Sequence, residues 1–378
     1  MKKVAILTLP LHINFGGNLQ AFALYSVLKD LGYDVDLLNI QNEKTKLFGF
    51  FLNVCKQFIK SYILFKPVSY LFLEKEKELI YKNHSNFISK YLKKSNIIYD
   101  KHSFKSVIEE EKYDAVIVGS DQVWRKDYVK NIETYFLNDV ENLETKKIAY
   151  AASFGVDEWQ YDDEQTKKIT ELAKSFNYIS VREDSAVELC KKYLNQHVEH
   201  VLDPTMLLSK NDYLNLCNNI NTNNKGKLFN YILDNCPKKS EFINKIAKRL
   251  DKEIFSISLN KIKNEPFIKD IESFVIPPIE EWLKAFDDAD FIITDSFHGM
   301  VFSIIFNKPF YVILNKERGA VRFNSLLKLL DLESRIVKKI STDELKIGDE
   351  NIDYDCVNCK LEKLKFQSLS MLKRSLVE

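Results

Sequence analysis

Net charge is almost absent from this chain: 55 Lys and Arg stand against 54 Asp and Glu, a formal balance of +1. Without a basic excess there is no global electrostatic case for nucleic acid as a partner. A disulfide framework is absent as well. The six cysteines (Cys55, Cys190, Cys217, Cys236, Cys356 and Cys359) are scattered through a long chain, which suits a reducing cytoplasm. Cys356 and Cys359 form one C-x-x-C with no second half and no nearby histidine, so a structural reading is favoured and no metal site is expected. No uninterrupted apolar stretch approaches the roughly 20 residues that cross a bilayer. The start, Met1 to Gly17, has the positive end and apolar run of a signal peptide, but Val4 to Leu9 is short and leads straight into a helical pattern. A buried first strand is the better reading. No repeat of fixed period is visible.

What is present is the profile of a globular α/β protein, with 45% hydrophobic and 29% charged residues over 378 positions. That length favours two domains over one core. Val4 to Leu7 is a continuous apolar run, as a strand covered on both faces requires. A loop with Asn14, Gly16 and Gly17 follows, then a helical pattern closed by Gly32, then a second run at Val35 to Ile40. The rhythm predicts an N-terminal α/β domain over 1–217, with a helical insertion at about 44–105. Further strands are expected at Ala115–Val118, Lys147–Ala151, Tyr178–Val181 and His200–Leu202. The asparagine-rich segment Asn218 to Gly226 reads as a linker. A second α/β domain is expected over 227–345, and an amphipathic tail helix within 346–378 that folds back on the N-terminal domain. Two doubly wound, Rossmann-like domains facing a cleft is the architecture this implies, with ligands beyond the carboxyl ends of the strands.

One turn stands out. The buried run Phe291-Ile292-Ile293 ends in Thr294-Asp295-Ser296, and a helix opens with Phe297-His298-Gly299. Free amides and the dipole at such a helix start attract phosphate or carboxylate. A histidine in that first turn can act as general base, or as general acid once protonated. Gly299 would let a ligand approach the backbone.

Other segments repeat in order what a known family carries. They are Asn14-Phe15-Gly16-Gly17-Asn18-Leu19-Gln20, Asp114 to Trp124 (with Gly119-Ser120-Asp121-Gln122), Ile148 to Gly155, Ser180-Val181-Arg182-Glu183-Asp184-Ser185, Val201-Leu202-Asp203-Pro204-Thr205 and the Ser296 to Gly299 turn. Together they resemble the polysaccharide pyruvyl transferase family. The resemblance implies a glycosyltransferase-B-like pair of domains and a cytoplasmic enzyme, at most at the inner face of the membrane. The donor would be phosphoenolpyruvate, as co-substrate with no separate cofactor. The product would be a pyruvate ketal on two hydroxyls of a hexose in a cell-surface glycan, an exopolysaccharide or capsule. The acceptor sugar would be linked to a nucleotide, a lipid or an oligosaccharide.

By this resemblance His298 is the catalytic histidine and Arg182 contacts the donor. Read without the family, Arg182 is a strand-end arginine paired with Glu183 or Asp184. Better-studied members often have arginine two positions before the histidine, where this chain has Ser296. Lys316, Arg318 or Arg322 would then supply the missing cation, with Ser296 and Gly299 also at the donor. Asp121, Gln122 and Trp124 would seat the acceptor, the indole stacking on a sugar face. The alternative is a capping aspartate with a core tryptophan. Asn14, Gly16 and Gly17 face the same cleft, unless the glycines only make the turn. Residues 47–73, aromatic-rich with interspersed lysines, read as a monotopic membrane contact or as a helical cover for the sheet. Two rival functions stay open at this level: a glycosyltransferase using a nucleotide sugar, and a non-catalytic glycan-binding relative.

Overall fold

The computed structural model describes residues 1–11, 13–41, 74–140, 144–257, 271–314, 319–338, 340 and 351–377. Seven parallel strands form the first sheet: β1 Lys3–Leu7, β2 Asp34–Ile40, β3 Lys94–Ile98, β4 Ala115–Asp121, β5 Lys146–Ala152, β6 Tyr178–Val181 and β7 Glu199–His200. Their order is β3-β2-β1-β4-β5-β6-β7. The second sheet holds β8 Leu228–Tyr231, β9 Ile254–Phe255, β10 Phe291–Thr294, β11 Phe310–Ile313 and β12 Ile336–Val337, in the order β12-β11-β10-β8-β9. Every described pairing is parallel. Helices on both faces explain why β4 and β10 are buried along their whole length and why Ala115–Val118 and Phe291–Ile293 read as plain apolar runs.

In each sheet the chain first winds toward one edge and then returns beside its starting strand. The reversal falls between β1 and β4 in the first sheet and between β8 and β10 in the second. Chain leaving neighbouring strands there splays to opposite faces and leaves a crevice at their carboxyl ends. The first helix, Phe15–Asp30, follows β1 and is capped by Asn14, whose side chain accepts from the Gly17 amide. The helix Phe297–Ile305 follows β10 and is capped by Ser296 in the same way, through the Gly299 amide.

An aromatic seam joins the two sheets. Phe15 stacks on Trp282 at 5.3 Å and meets Tyr231 edge-on at 6.4 Å. One continuous apolar cluster therefore runs from the first helix into the second sheet. Offset and edge contacts of this kind hold the facing strand ends in register.

The expected helical insertion is only partly helical. Residues 42–73, including the segment 47–73, lie outside the described residues. Beyond them Glu74–Tyr91 is a helix, but Lys94–Ile98 forms β3. It pairs with β2 on one side only, so it keeps polar Lys94 and Asn96 and does not read as a buried strand. The tail helix Tyr354–Val377 touches the surroundings of both sheets: at its start the Tyr354 hydroxyl donates to the Lys308 carbonyl at 2.5 Å, and its later turns reach the end of the first sheet. The Ser368 hydroxyl accepts from the Leu202 amide at 3.1 Å, and Arg374 pairs with Glu199 at 2.8 Å. Cys356 and Cys359 are exposed on its first turns. Among the described residues no helix is long and apolar enough to cross a membrane.

Candidate active site

The two strand reversals face each other across a cavity of about 180 Å³. Leu9, Asn14, Gly17 and Gln20 come to it from beyond β1, and Asp121 and Gln122 from the end of β4. From the second sheet come Leu233 after β8, Asp295 to His298 after β10, and Arg322. Two helix starts, capped by Asn14 and Ser296, thus open on one space, and both dipoles favour negative charge there. A larger hollow of about 540 Å³, lined by Lys2, Asp114 and Lys146, lies at the amino ends of β1 and β4. Parallel α/β sheets do not place ligands at that edge.

His298 is 6% exposed. Its Nε2 turns inward, 3.7 Å from Oδ2 of Asp203. Its Nδ1 edge lies against the backbone of Gly16 in the opposite domain, so closely that a Cβ on Gly16 would fall 2.0 Å from Nδ1. Gly16 is thus the slot into which the imidazole fits. Helix propensity would make Gly16→Ala stabilising by up to about 1 kcal/mol. The overlap reverses the sign, and we expect a loss of about 1–3 kcal/mol together with a fall in kcat. A melting curve of Gly16→Ala checks this, and a raised Tm would refute the contact.

Asp203 is the hub of the buried charges. Its Oδ2 accepts from Arg182 Nη1 at 2.6 Å and from the Ser120 hydroxyl at 3.0 Å. Its Oδ1 accepts from the Thr205 amide at 3.0 Å and hydroxyl at 2.6 Å. Burial alone would raise the Asp203 carboxyl, but His298 and Arg182 outweigh it and hold it well below the usual carboxylate range. Arg182 is 4% exposed and lies between Asp203 and Asp121, with Nη2 3.6 Å from Asp121 Oδ1. Burial would lower it, yet these carboxylates and Glu183 carry it above the ordinary arginine value. The Arg182 and Arg322 guanidinium groups both lie against the Phe297 ring, 4.8 and 5.0 Å from its centroid. Burial and the neighbouring Arg182 pull Arg322 down to about 10. An anion on the cavity side would relieve that repulsion.

The remaining wall is polar and tightly held. Asp295 accepts from the Leu233 and Asp234 amides at 2.7 and 3.2 Å and from Lys239 at 2.6 Å. That fastens the loop after β8 to the loop after β10. Gln20 donates to Thr8 at 2.9 Å and to the Gly17 carbonyl at 3.0 Å. Among the described residues no group of three or more His, Cys, Asp or Glu side chains is gathered as a metal would need.

Of the residues singled out in the sequence, the fold brings His298, Ser296, Arg322, Asn14, Gly17, Asp121 and Gln122 to the cavity wall. Lys316 and Arg318 lie outside the described residues. Arg182 sits behind the wall, locked by two carboxylates, and the partners it has are Asp203 and Asp121, not Glu183 or Asp184. Gly299 does not face the opening: its missing Cβ points at Thr294 Oγ1, 2.3 Å away, so it allows the helix to sit on its own strand. Trp124 is fully buried, stacks on Phe136 at 4.7 Å and donates to the Tyr135 carbonyl. The indole is a core residue and no sugar platform. Beside the buried Phe297, the exposed aromatic ring at the cavity is Tyr128, 43% exposed, with the Arg125 guanidinium 4.5 Å from its centroid. Sequence reasoning passed over Tyr128, and it assigned no role to Asp203 although its Asp-Pro turn was noticed.

A model of the family described as polysaccharide pyruvyl transferase matches residues 14–317. No curated protein matches the chain. In fold it is similar to UGT89C1 of Arabidopsis thaliana complexed with UDP, at 10% identity, with 100% of each chain covered and a TM-score of 0.52. It is also similar to UDP-GlcNAc 2-epimerase of Neisseria meningitidis bound to UDP-GlcNAc, at 11% identity, again over 100% of each chain, with a TM-score of 0.50. At these identities the likeness concerns the arrangement of two α/β domains of glycosyltransferase-B type.

Proposed function

This chain belongs to the polysaccharide pyruvyl transferase family, matched over residues 14–317, and on that premise we propose that it transfers the pyruvyl group of phosphoenolpyruvate to two hydroxyls of a hexose as a ketal, in the making of a cell-surface polysaccharide. The observation that carries this reading is the placement of His298. It stands in the first turn of one helix, against the start of another, with a buried carboxylate behind it and Arg322 on the same cavity wall. Those amides and that cation suit a donor with both phosphate and carboxylate. With serine at position 296, Arg322 is the cation assigned to the donor among the described residues.

In the proposed reaction protonated His298 gives its proton to the methylene carbon of the donor, which becomes the methyl group. The central carbon takes up oxocarbenium character, two acceptor oxygens bond to it, and phosphate leaves. Asp203 holds the imidazole from behind and Arg182 holds Asp203. Asn14, Gln20 and Gln122 offer the paired donors and acceptors that sugar hydroxyls require. The acceptor sugar is linked to a nucleotide, a lipid or an oligosaccharide.

Incubation of the purified chain with phosphoenolpyruvate and hexose-containing glycans is expected to add one pyruvyl group, read by mass spectrometry, with release of one phosphate per ketal. Glycosyl transfer from a nucleotide sugar, with no pyruvyl product from any glycan, would replace this reading with that of a glycosyltransferase.

A further inference from the structure

The proposed ketal formation needs a base as well as an acid, and we infer that Asp121 is the base that takes the proton of the acceptor hydroxyl. This assignment rests on the pyruvyl-transfer reading. Asp121 is the last residue of β4, at the strand reversal of the first sheet, and it lines the cavity. Its φ is +75°, in the left-handed region that a non-glycine residue occupies at a cost. Such conformations persist where the surroundings hold them, and they gather at reactive sites. Here the twist folds the side chain back on its own turn: Oδ1 accepts from the Gln122 amide at 2.9 Å and faces Arg182 at 3.6 Å. Among the described residues no donor is bonded to Oδ2.

The neighbouring carboxylates are already engaged. Asp295 is tied by two amides and Lys239, and Asp203 by Arg182, Ser120 and Thr205. The charged groups facing Asp121 are Arg182, just after β6, and Arg322 from the helix Val321–Leu329. Arg182 therefore holds two carboxylates at once, Asp203 behind the acid His298 and Asp121 on the cavity wall. One buried cation sets the acid and the base in a common frame.

The step balances as follows. Two acceptor O–H bonds break in turn as their oxygens bond to the central carbon of the donor: the first proton passes to Asp121 Oδ2, and the second returns to His298, which has given up its own. The proton on the new methyl group comes from His298. The bond between the central carbon and the bridging phosphate oxygen breaks with its electron pair on phosphate, and the proton held by Asp121 leaves with phosphate or to solvent.

Asp121→Asn separates the charge from the fold, because asparagine tolerates positive φ and its amide oxygen can still accept from Gln122. We expect the variant to stay folded with a lowered Tm, because Arg182 loses the carboxylate facing it at 3.6 Å, to keep the KM for phosphoenolpyruvate, and to lose kcat by about 10²-fold or more. Asp121→Gly suits the backbone and leaves space, so millimolar formate is expected to restore part of its activity in a saturable manner. Asp121→Asn with kcat within about threefold of wild type, or Asp121→Gly indifferent to formate, overturns the assignment while the pyruvyl-transfer reading stands. Wild-type chain that makes no pyruvyl product overturns both.

Discussion

Replacing His298 with alanine is expected to lower kcat for pyruvyl transfer by about 10²–10⁴-fold, the range that a positioned proton donor contributes. The KM for phosphoenolpyruvate should change little, because the helix-start amides and Arg322 remain. Stability should fall by about 1–3 kcal/mol, since a buried ring is lost. That leaves a domain pair of ordinary stability folded. Gly16 supplies the internal control. Its absent Cβ would lie 2.0 Å from His298 Nδ1. Gly16→Ala is therefore harmful beside histidine and tolerable beside alanine. The double variant should show a positive coupling in stability and no recovery of activity. Activity retained by folded His298→Ala, measured as ketal formed per enzyme, would remove the acid assigned to the site.

The parts of this arrangement that were legible in the sequence are those set by neighbouring residues. The strands β4 and β10 are covered on both faces, so their apolar runs and the caps that follow them appear in a few consecutive letters. The His298 turn was visible for the same reason: Ser296 caps the helix two positions before it. What stayed hidden depends on partners far apart in the chain. Asp203 and Arg182 follow strands of one sheet and His298 a strand of the other, and no spacing rule joins them. Gly16 read as a turn glycine, while its constraint is an imidazole from the other domain. Composition could not decide between aromatics either. Trp124 and Tyr128 are four positions apart, yet the first enters the core and the second reaches the cavity. The strand β3 escaped because an edge strand needs only one apolar side.

Removing the cation at position 182 should be the most damaging change to the fold itself. Arg182→Met keeps the bulk against Phe297 but leaves Asp203 without its 2.6 Å partner and Asp121 without its 3.6 Å one. Breaking one side of a buried ion pair costs about 3–5 kcal/mol, because the charge left behind is neither solvated nor matched. That is a large share of the roughly 5–15 kcal/mol that holds a domain together. Arg182→Lys keeps the charge but lacks the planar fork that serves two carboxylates, so an intermediate loss is expected. Acidity supplies the signature. In the wild type the folded Asp203 carboxyl lies below its unfolded value of about 3.9. Near and below that value the unfolded chain binds more protons, so the contribution of Asp203 is complete above about pH 4 and is lost as the pH falls further. In Arg182→Met much of that contribution is already gone at neutral pH. The gap between wild type and variant should therefore be widest at pH 7 and narrow below about pH 4 in urea titrations. A variant as stable as wild type at pH 7 would mean that Arg182 is not the counter-charge of this core, and the frame proposed for Asp121 and His298 would fall with it.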